Sequence, residues 1–272
     1  TIFKITPSGT LTILHSFSGT EYAAHPTAPL IQATDGNFYG VNSGCAEFGC
    51  GNANDVFKMT PNGTVTVIEE LTGAANGSYP YWPLVQSTNG TLYGLAQQGG
   101  TTNGGTLFTV NIGAAAFVNL QTTSGRETSK IGILGQGFSA SSVVKFGGVQ
   151  ATSIQRSGST YISATVPAGA LTAAVTVTTG ATTLTSPQIF KVTPTFPSFS
   201  PTSGPVGTPV VLTGTGLMQT TKVSFNGTAA TTFTVNSDTQ VTADVPTGAT
   251  SGKIVISTKG GSVKSTTSFT VN

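Results

Sequence analysis

Charge is what this sequence has least of. Only 7% of its 272 residues are Asp, Glu, Lys or Arg, against roughly 25% in an ordinary globular chain. Nine acids leave few candidates for paired-carboxylate chemistry. The net charge of +2, with 11 scattered basic residues, makes no stripe that could track a nucleic-acid backbone. Two histidines, His15 and His25, stand in no ligand spacing, so neither a metal site nor a cofactor is expected. No apolar stretch approaches the ~20 residues that cross a bilayer, and no signal peptide is visible. The chain opens at Thr1 without a Met, and the expectation is a processed or incomplete N-terminus.

Cysteine is almost as scarce. The pair Cys45 and Cys50, in "CAEFGC", admits a small loop disulfide, two free thiols or half of a metal site. Histidine partners are wanting for the last, and the expectation is a Cys45–Cys50 disulfide formed in an oxidising compartment.

What is present is glycine, threonine and serine around short β-branched runs. Segments such as "KIVIS", "AAVTVTT" and "TPVVLTG" alternate at period two, the pattern of half-buried strands. No helical period is convincing, which predicts an all-β protein. A neutral, hydroxyl-rich exterior points to an extracellular or cell-surface location.

Two internal repeats organise the chain. The first has an offset of 54: Phe3, Thr6, Pro7, Gly9 and Thr10 match Phe57, Thr60, Pro61, Gly63 and Thr64. Pro26, Pro29, Leu30, Gln32 and Tyr39-Gly40 match Pro80, Pro83, Leu84, Gln86 and Tyr93-Gly94. Each copy reads as two hairpins, and a third begins at "GTLFTV" (105–110), with "GTLFTVNIGAAAFVNL" read as one more hairpin. Four strands per unit is the content of a propeller blade. The second repeat has an offset of 79. "TSGRETSKIGILGQGFSASSVVKFGG" (123–148) aligns with "TSGPVGTPVVLTGTGLMQTTKVSFNG" (202–227), and "SATVPAGA" (163–170) with "TADVPTGA" (242–249). The alternation predicts equivalent cores: Ile133, Val144, Phe146, Val166 and Val175 in one copy, Leu212, Val223, Phe225, Val245 and Ile254 in the other.

These motifs carry two resemblances. Phe-x-x-Thr-x-x-Gly-x-x-Thr, Pro-x-x-x-Leu and Asp/Asn-Gly-x-x-Tyr-Gly resemble the GloVer tandem repeat of bacterial exported proteins. The 79-residue repeat, opened most clearly by "PTFPSFSPTSGPVGTPVVLTGTGL", resembles the immunoglobulin-like IPT/TIG fold. Together they imply about two and a half propeller-like blades over residues 1–120, an IPT/TIG-like sandwich over 121–193 and a second over 194–272.

Catalytic motifs are weak. Gly135-Gln-Gly137 and Gly214-Thr-Gly216 lack the third glycine and the helix of a dinucleotide loop and read as strand turns. No Gly-x-Ser-x-Gly elbow occurs. The run Tyr79-Pro80-Tyr81-Trp82 holds the only tryptophan. It admits packing between blades, contact with sugar, or contact with a protein. Four sequons, at Asn62, Asn76, Asn89 and Asn226, all read Asn-Gly-Thr or Asn-Gly-Ser, which is also hairpin-turn chemistry.

The function expected from sequence is a non-enzymatic extracellular structural protein, a self-assembling subunit of a surface appendage, filament or adhesin. Its expected partners are copies of itself, with Thr1, Ile2, Phe3, Lys4 and Ile5 entering a neighbour's sheet. Surface glycans held by Tyr79, Tyr81 and Trp82 are the alternative, as is an accessory region of a larger secreted enzyme. Neither nucleic acid nor a membrane span is expected.

Overall fold

A computed structural model describes residues 1–17, 26–43, 54–73 and 75–272. Cys45 and Cys50, and with them the expected disulfide, lie outside the described residues. So do His25, Glu21 and Glu47. The described residues are all-β, without a helix, and divide into two compact units, Thr1–Ala115 and Ala116–Asn272.

Among its described residues the first unit holds nine strands: β1 (Ile2–Ile5), β2 (Leu11–His15), β3 (Ile31–Gln32), β4 (Phe38–Asn42), β5 (Asp55–Met59), β6 (Val65–Glu70), β7 (Val85–Gln86), β8 (Leu92–Ala96) and β9 (Thr106–Val110). They form a two-stranded sheet β1-β2, a four-stranded antiparallel sheet β3-β4-β5-β6 and a three-stranded sheet β7-β8-β9. The two copies of the hairpin turn are built alike. Thr6 Oγ1 accepts from Thr10 N at 3.0 Å, and Thr60 Oγ1 from Thr64 N at 3.1 Å. Gly9 and Gly63 supply the positive φ that closes each loop, at 86° and 94°.

Sheets are shared between repeats. The second hairpin of the first copy, β3-β4, pairs with the first hairpin of the second, β5-β6. Gly40 on β4 makes room for this: a Cβ there would lie 2.5 Å from Cζ of Phe57 and 2.7 Å from Leu30 Cδ2. Gly94 serves Phe108 and Leu84 in the same way. Tyr39, Val41 and Val56 then share one core with Leu84, Leu92, Ala96, Phe108 and Val110.

One expectation fails here. Residues 105–120 do not form a hairpin. Thr106–Val110 pairs with β8, but Val118–Leu120 leaves the repeat and pairs with Lys130–Gly135 in the second unit. Burial explains it: Val118 and Leu120 join the core of the first sandwich.

That second unit contains two sandwiches with identical topology. In the first, a four-stranded sheet (Val118–Leu120, Lys130–Gly135, Tyr161–Thr165, Ile154–Ser157) faces a five-stranded one that ends on the long strand Thr182–Val192 and the short parallel strand Ser124–Gly125. The second repeats this order from Thr195–Ser200 to Gly261–Val271. All ten predicted core residues are buried. Each core carries an edge-on aromatic pair, Phe146–Phe190 at 5.2 Å and Phe225–Phe269 at 5.4 Å.

Sequence reasoning missed a buried serine in each sandwich. Ser186 Oγ accepts from Val175 N and donates to Gln188 O, at 2.9 and 2.7 Å. Ser265 does the same between Ile254 N and Thr267 O, at 3.0 and 2.7 Å. Both lie at a strand irregularity that would otherwise leave a backbone N–H unpaired.

Candidate functional site

The run 79–82 is held at both ends so that its middle stands out. Tyr79 adopts φ 57°, a left-handed conformation rare for a bulky residue. Its N–H donates to Asn54 Oδ1 at 2.9 Å, and its carbonyl accepts from Gln97 N at 3.1 Å. The Pro80 carbonyl accepts from Thr27 Oγ1 at 2.7 Å, and Leu84 beyond it is buried in the core. Such a conformation costs on the order of 1–3 kcal/mol and persists only where its surroundings impose it.

Between these anchors Tyr81 and Trp82 project outward, 42% and 47% exposed. Trp82 is therefore not a plug in a seam between sheets. Tyr79 and Tyr81 stack with centroids 6.3 Å apart and 18° between planes, and Trp82 stands edge-on to Tyr81 at 6.4 Å. The indole borders a cleft of about 470 Å³ lined by Leu95, Ala96, Gln97, Gly104, Gly105 and Thr106. Among the described residues no charged side chain lines it. Gln97 supplies a polar side chain and Leu95 an apolar wall, while the Thr106 hydroxyl is buried.

The other sites read from sequence do not gather there. Thr1 to Ile5 run along the first hairpin, where Ile2–Ile5 form β1. Asn62, Asn89 and Asn226 are exposed in turns. Asn76 is tied down: Nδ2 donates to Glu69 Oε1 and the Glu70 carbonyl, and Oδ1 accepts from Thr72 N. That is the bonding of a turn builder rather than of an open acceptor for sugar.

Among the described residues no group of three or more His, Cys, Asp or Glu could hold a metal. The acids are mostly structural. Asp35 accepts from Asn37 N, Asn37 Nδ2 and Tyr39 Oη in its Asp-Gly turn. Burial works against its charge, but these bonds and Lys58 outweigh it and hold the carboxyl below its ordinary range. Asp55 accepts from Asn42 Nδ2 at 2.7 Å in the interior.

One carboxyl pair was not legible in the sequence. Glu127, in the turn before Lys130–Gly135, meets Asp238 of the second sandwich. Burial, with the neighbouring Asp238 favouring the protonated form, raises Glu127 to about 7 against the opposing pull of Gly169 N, which donates to it at 2.6 Å. Nearby, Thr172 N donates to Gln219 Oε1 at 2.7 Å across the same junction. Glu127 is buried and hydrogen-bonded directly to its partner carboxyl. Glycoside hydrolysis instead places its two carboxyls roughly 5–9.5 Å apart, flanking the scissile bond. The pair is a joint between sandwiches.

Comparison with known proteins follows the two repeats. The Gloeobacter/Verrucomicrobia repeat model matches residues 1–148, and the IPT/TIG domain model matches 117–192 and 194–271. Where the two overlap, the strands pair within the first sandwich. No curated protein matches the chain. Among solved structures, the chain is similar to the surface glycan-binding protein PbSGBP-B from Prevotella bryantii (17% identity, 56% of this chain and 41% of that one, TM-score 0.41). It is also similar to SGBP-B of the Bacteroides ovatus mixed-linkage glucan utilization locus, in complex with a heptasaccharide (13% identity, 89% and 54%, TM-score 0.28). The plexin A4 extracellular region matches at 16% identity over 84% of this chain and 21% of that one, with a TM-score of 0.26. The chain thus spans about half or less of the length of each. These TM-scores are too low to support an argument about function. No helix of the described residues is long and apolar enough to cross a membrane.

Proposed function

The chain belongs to the Gloeobacter/Verrucomicrobia repeat family and carries two IPT/TIG domains, and from that premise we propose that it is a non-catalytic carbohydrate-binding protein of the cell exterior. The carrying observation is the exposed Tyr81–Trp82 pair on an uncharged cleft. Flat aromatic faces pack on the C–H surface of a sugar ring, while a few placed polar groups fix its hydroxyls. Gln97 and the backbone at Gly104 are those groups here. A neutral glycan suits a chain with so little charge, because its binding strips no ion of water.

In this reading the β3–β6 sheet is a propeller-type blade. Among the described residues, the close carboxyl pair Glu127 and Asp238 is enclosed in a joint between sandwiches. A glycan array probed with the full chain is the test. Binding to a defined glycan class, lost in Trp82→Ala and weakened at least tenfold in Tyr81→Ala, is the expected result. Silence across the array, or binding untouched by Trp82→Ala, would refute the assignment.

A further inference from the structure

Charge is sparse in this chain, yet three of its 11 basic side chains gather at one cleft of the second unit. The cleft, about 360 Å³, opens where the two sandwiches join. Arg126 reaches it from the turn before Lys130–Gly135 of the first sandwich, and Lys264 from the long strand Gly261–Val271 of the second. Lys253 stands beside them, its Nζ donating to the carbonyl of Thr266 on the cleft wall. Among the described residues no acid lines the cleft, and neither Arg126 nor Lys264 is paired with one. Glu127, next in sequence, is committed to Asp238 and to Gly169 N in the joint.

The fold does not need these charges. At the offset of 79, Arg126 corresponds to Pro205, Lys253 to Ala174 and Lys264 to Thr185. Strand pairing keeps the same correspondence, with Lys264 opposite Val255 as Thr185 is opposite Thr176. The apolar wall, by contrast, is kept: Pro197 and Val263 answer to Val118 and Leu184. Like charges gathered without an acid repel one another, and a bound anion relieves that cost. The wall also narrows what can carry the anion. Thr195–Ser200 is the edge of its sheet, but Pro197 within it has no backbone N–H, and its pairing is irregular between Thr195 and Ser198. An extended acidic peptide therefore has no regular edge to join. A sugar ring needs none.

We propose that this cleft binds an acidic polysaccharide through the carboxylate of a uronic-acid residue, held between Arg126 and Lys264. The guanidinium offers a fork that matches a carboxylate, and the ammonium a second charged donor. The ring then packs on Pro197 and Val263. The volume lies at the small end of ligand sites, which run from roughly 300 to 1,000 Å³. The site is in a different unit from the Tyr81–Trp82 cleft and does not rest on the reading of that cleft.

Isothermal titration calorimetry of the full chain at low salt tests this, with oligogalacturonate, oligomannuronate and hyaluronan fragments as probes. The variants are Arg126→Gln and Lys264→Thr. Both positions are exposed, and threonine already stands at the equivalent of Lys264 in the first sandwich, so both variants should fold, which circular dichroism checks. At least one probe should bind saturably, and each variant should bind it about tenfold more weakly. Affinity should fall as salt is added. The methyl ester of the same probe should not bind, and Trp82→Ala should change nothing. Silence toward all three probes, or unaltered binding in either variant, would overturn the proposal. So would equal binding of the methyl ester, or of a tetraglutamate peptide, which would make the site one for acidic peptides. Loss in Trp82→Ala alone would move the acidic sugar to the other cleft and overturn it too.

Discussion

The two sandwiches and the repeat unit both write one design more than once, yet only the sandwiches repeat its burial. Phe146 and Phe225 occupy equivalent places and both are buried, each within a cluster of buried apolar side chains. Phe3 and Phe57 are also equivalent, but Phe3 is 57% exposed and Phe57 is 0%. The difference lies in closure. A sandwich supplies both walls of its own core, so its sequence decides its burial. A repeat supplies one sheet and borrows its cover from the next, so an identical hairpin is core in one place and surface in another.

Substitutions at equivalent phenylalanines sharpen this contrast most. Phe225→Ala and Phe57→Ala should each cost about 3–5 kcal/mol through the cavity they leave. Phe3→Ala should stay within about 0.5 kcal/mol in the monomer. Chemical denaturation of the full chain measures all three, and a large loss at Phe3 would break the comparison. The buried serines come next: Ser186→Ala and Ser265→Ala should cost about 1–3 kcal/mol each by stranding the amides of Val175 and Ile254. Near-equal losses are expected, because the two bonds are geometrically alike. At the sheet junctions, Gly40→Ala and Gly94→Ala should each lose about 1–3 kcal/mol by overpacking, since the new methyl meets the ring of Phe57 or Phe108.

The smallest effect concerns the joint between sandwiches. With Glu127 raised from 4.5 to about 7, the folded state holds its proton more tightly than the unfolded chain does. The pair's contribution is then fully present below about pH 4.5 and fades as pH rises through about 7. The melting temperature of the second unit should fall over that interval and flatten in Glu127→Gln, which stays a neutral donor. A melting curve that rises with pH there would mean that the proton is not shared as described.

Much of this architecture was legible from residues. The offset of 79 aligned the two sandwiches position by position, and alternation alone named ten core residues. The offset of 54 located the hairpins through their Thr-Pro-x-Gly and Asp/Asn-Gly turns. Physical context hid the rest. Val118–Leu120 looks like a returning hairpin strand, and only the competing core of the sandwich claims it. Ser186 and Ser265 look like ordinary strand-surface serines until the irregular pairing frees a backbone amide beside them. Glu127 and Asp238 lie far apart in sequence, and nothing local marks either as a partner. Trp82 was readable as an aromatic of interest, but its exposure depended on how Tyr79 and Pro80 were anchored by Asn54 and Thr27.

Trp82 is the only tryptophan in the chain, so its fluorescence reports on the proposed sugar contact without labelling. Titration of the full chain with the glycan that the array selects should give a saturable shift in emission, absent in Trp82→Ala. Calorimetry on the same samples should give a matching affinity. Binding seen by calorimetry while the tryptophan emission stays unchanged would place the sugar elsewhere and contradict the assignment.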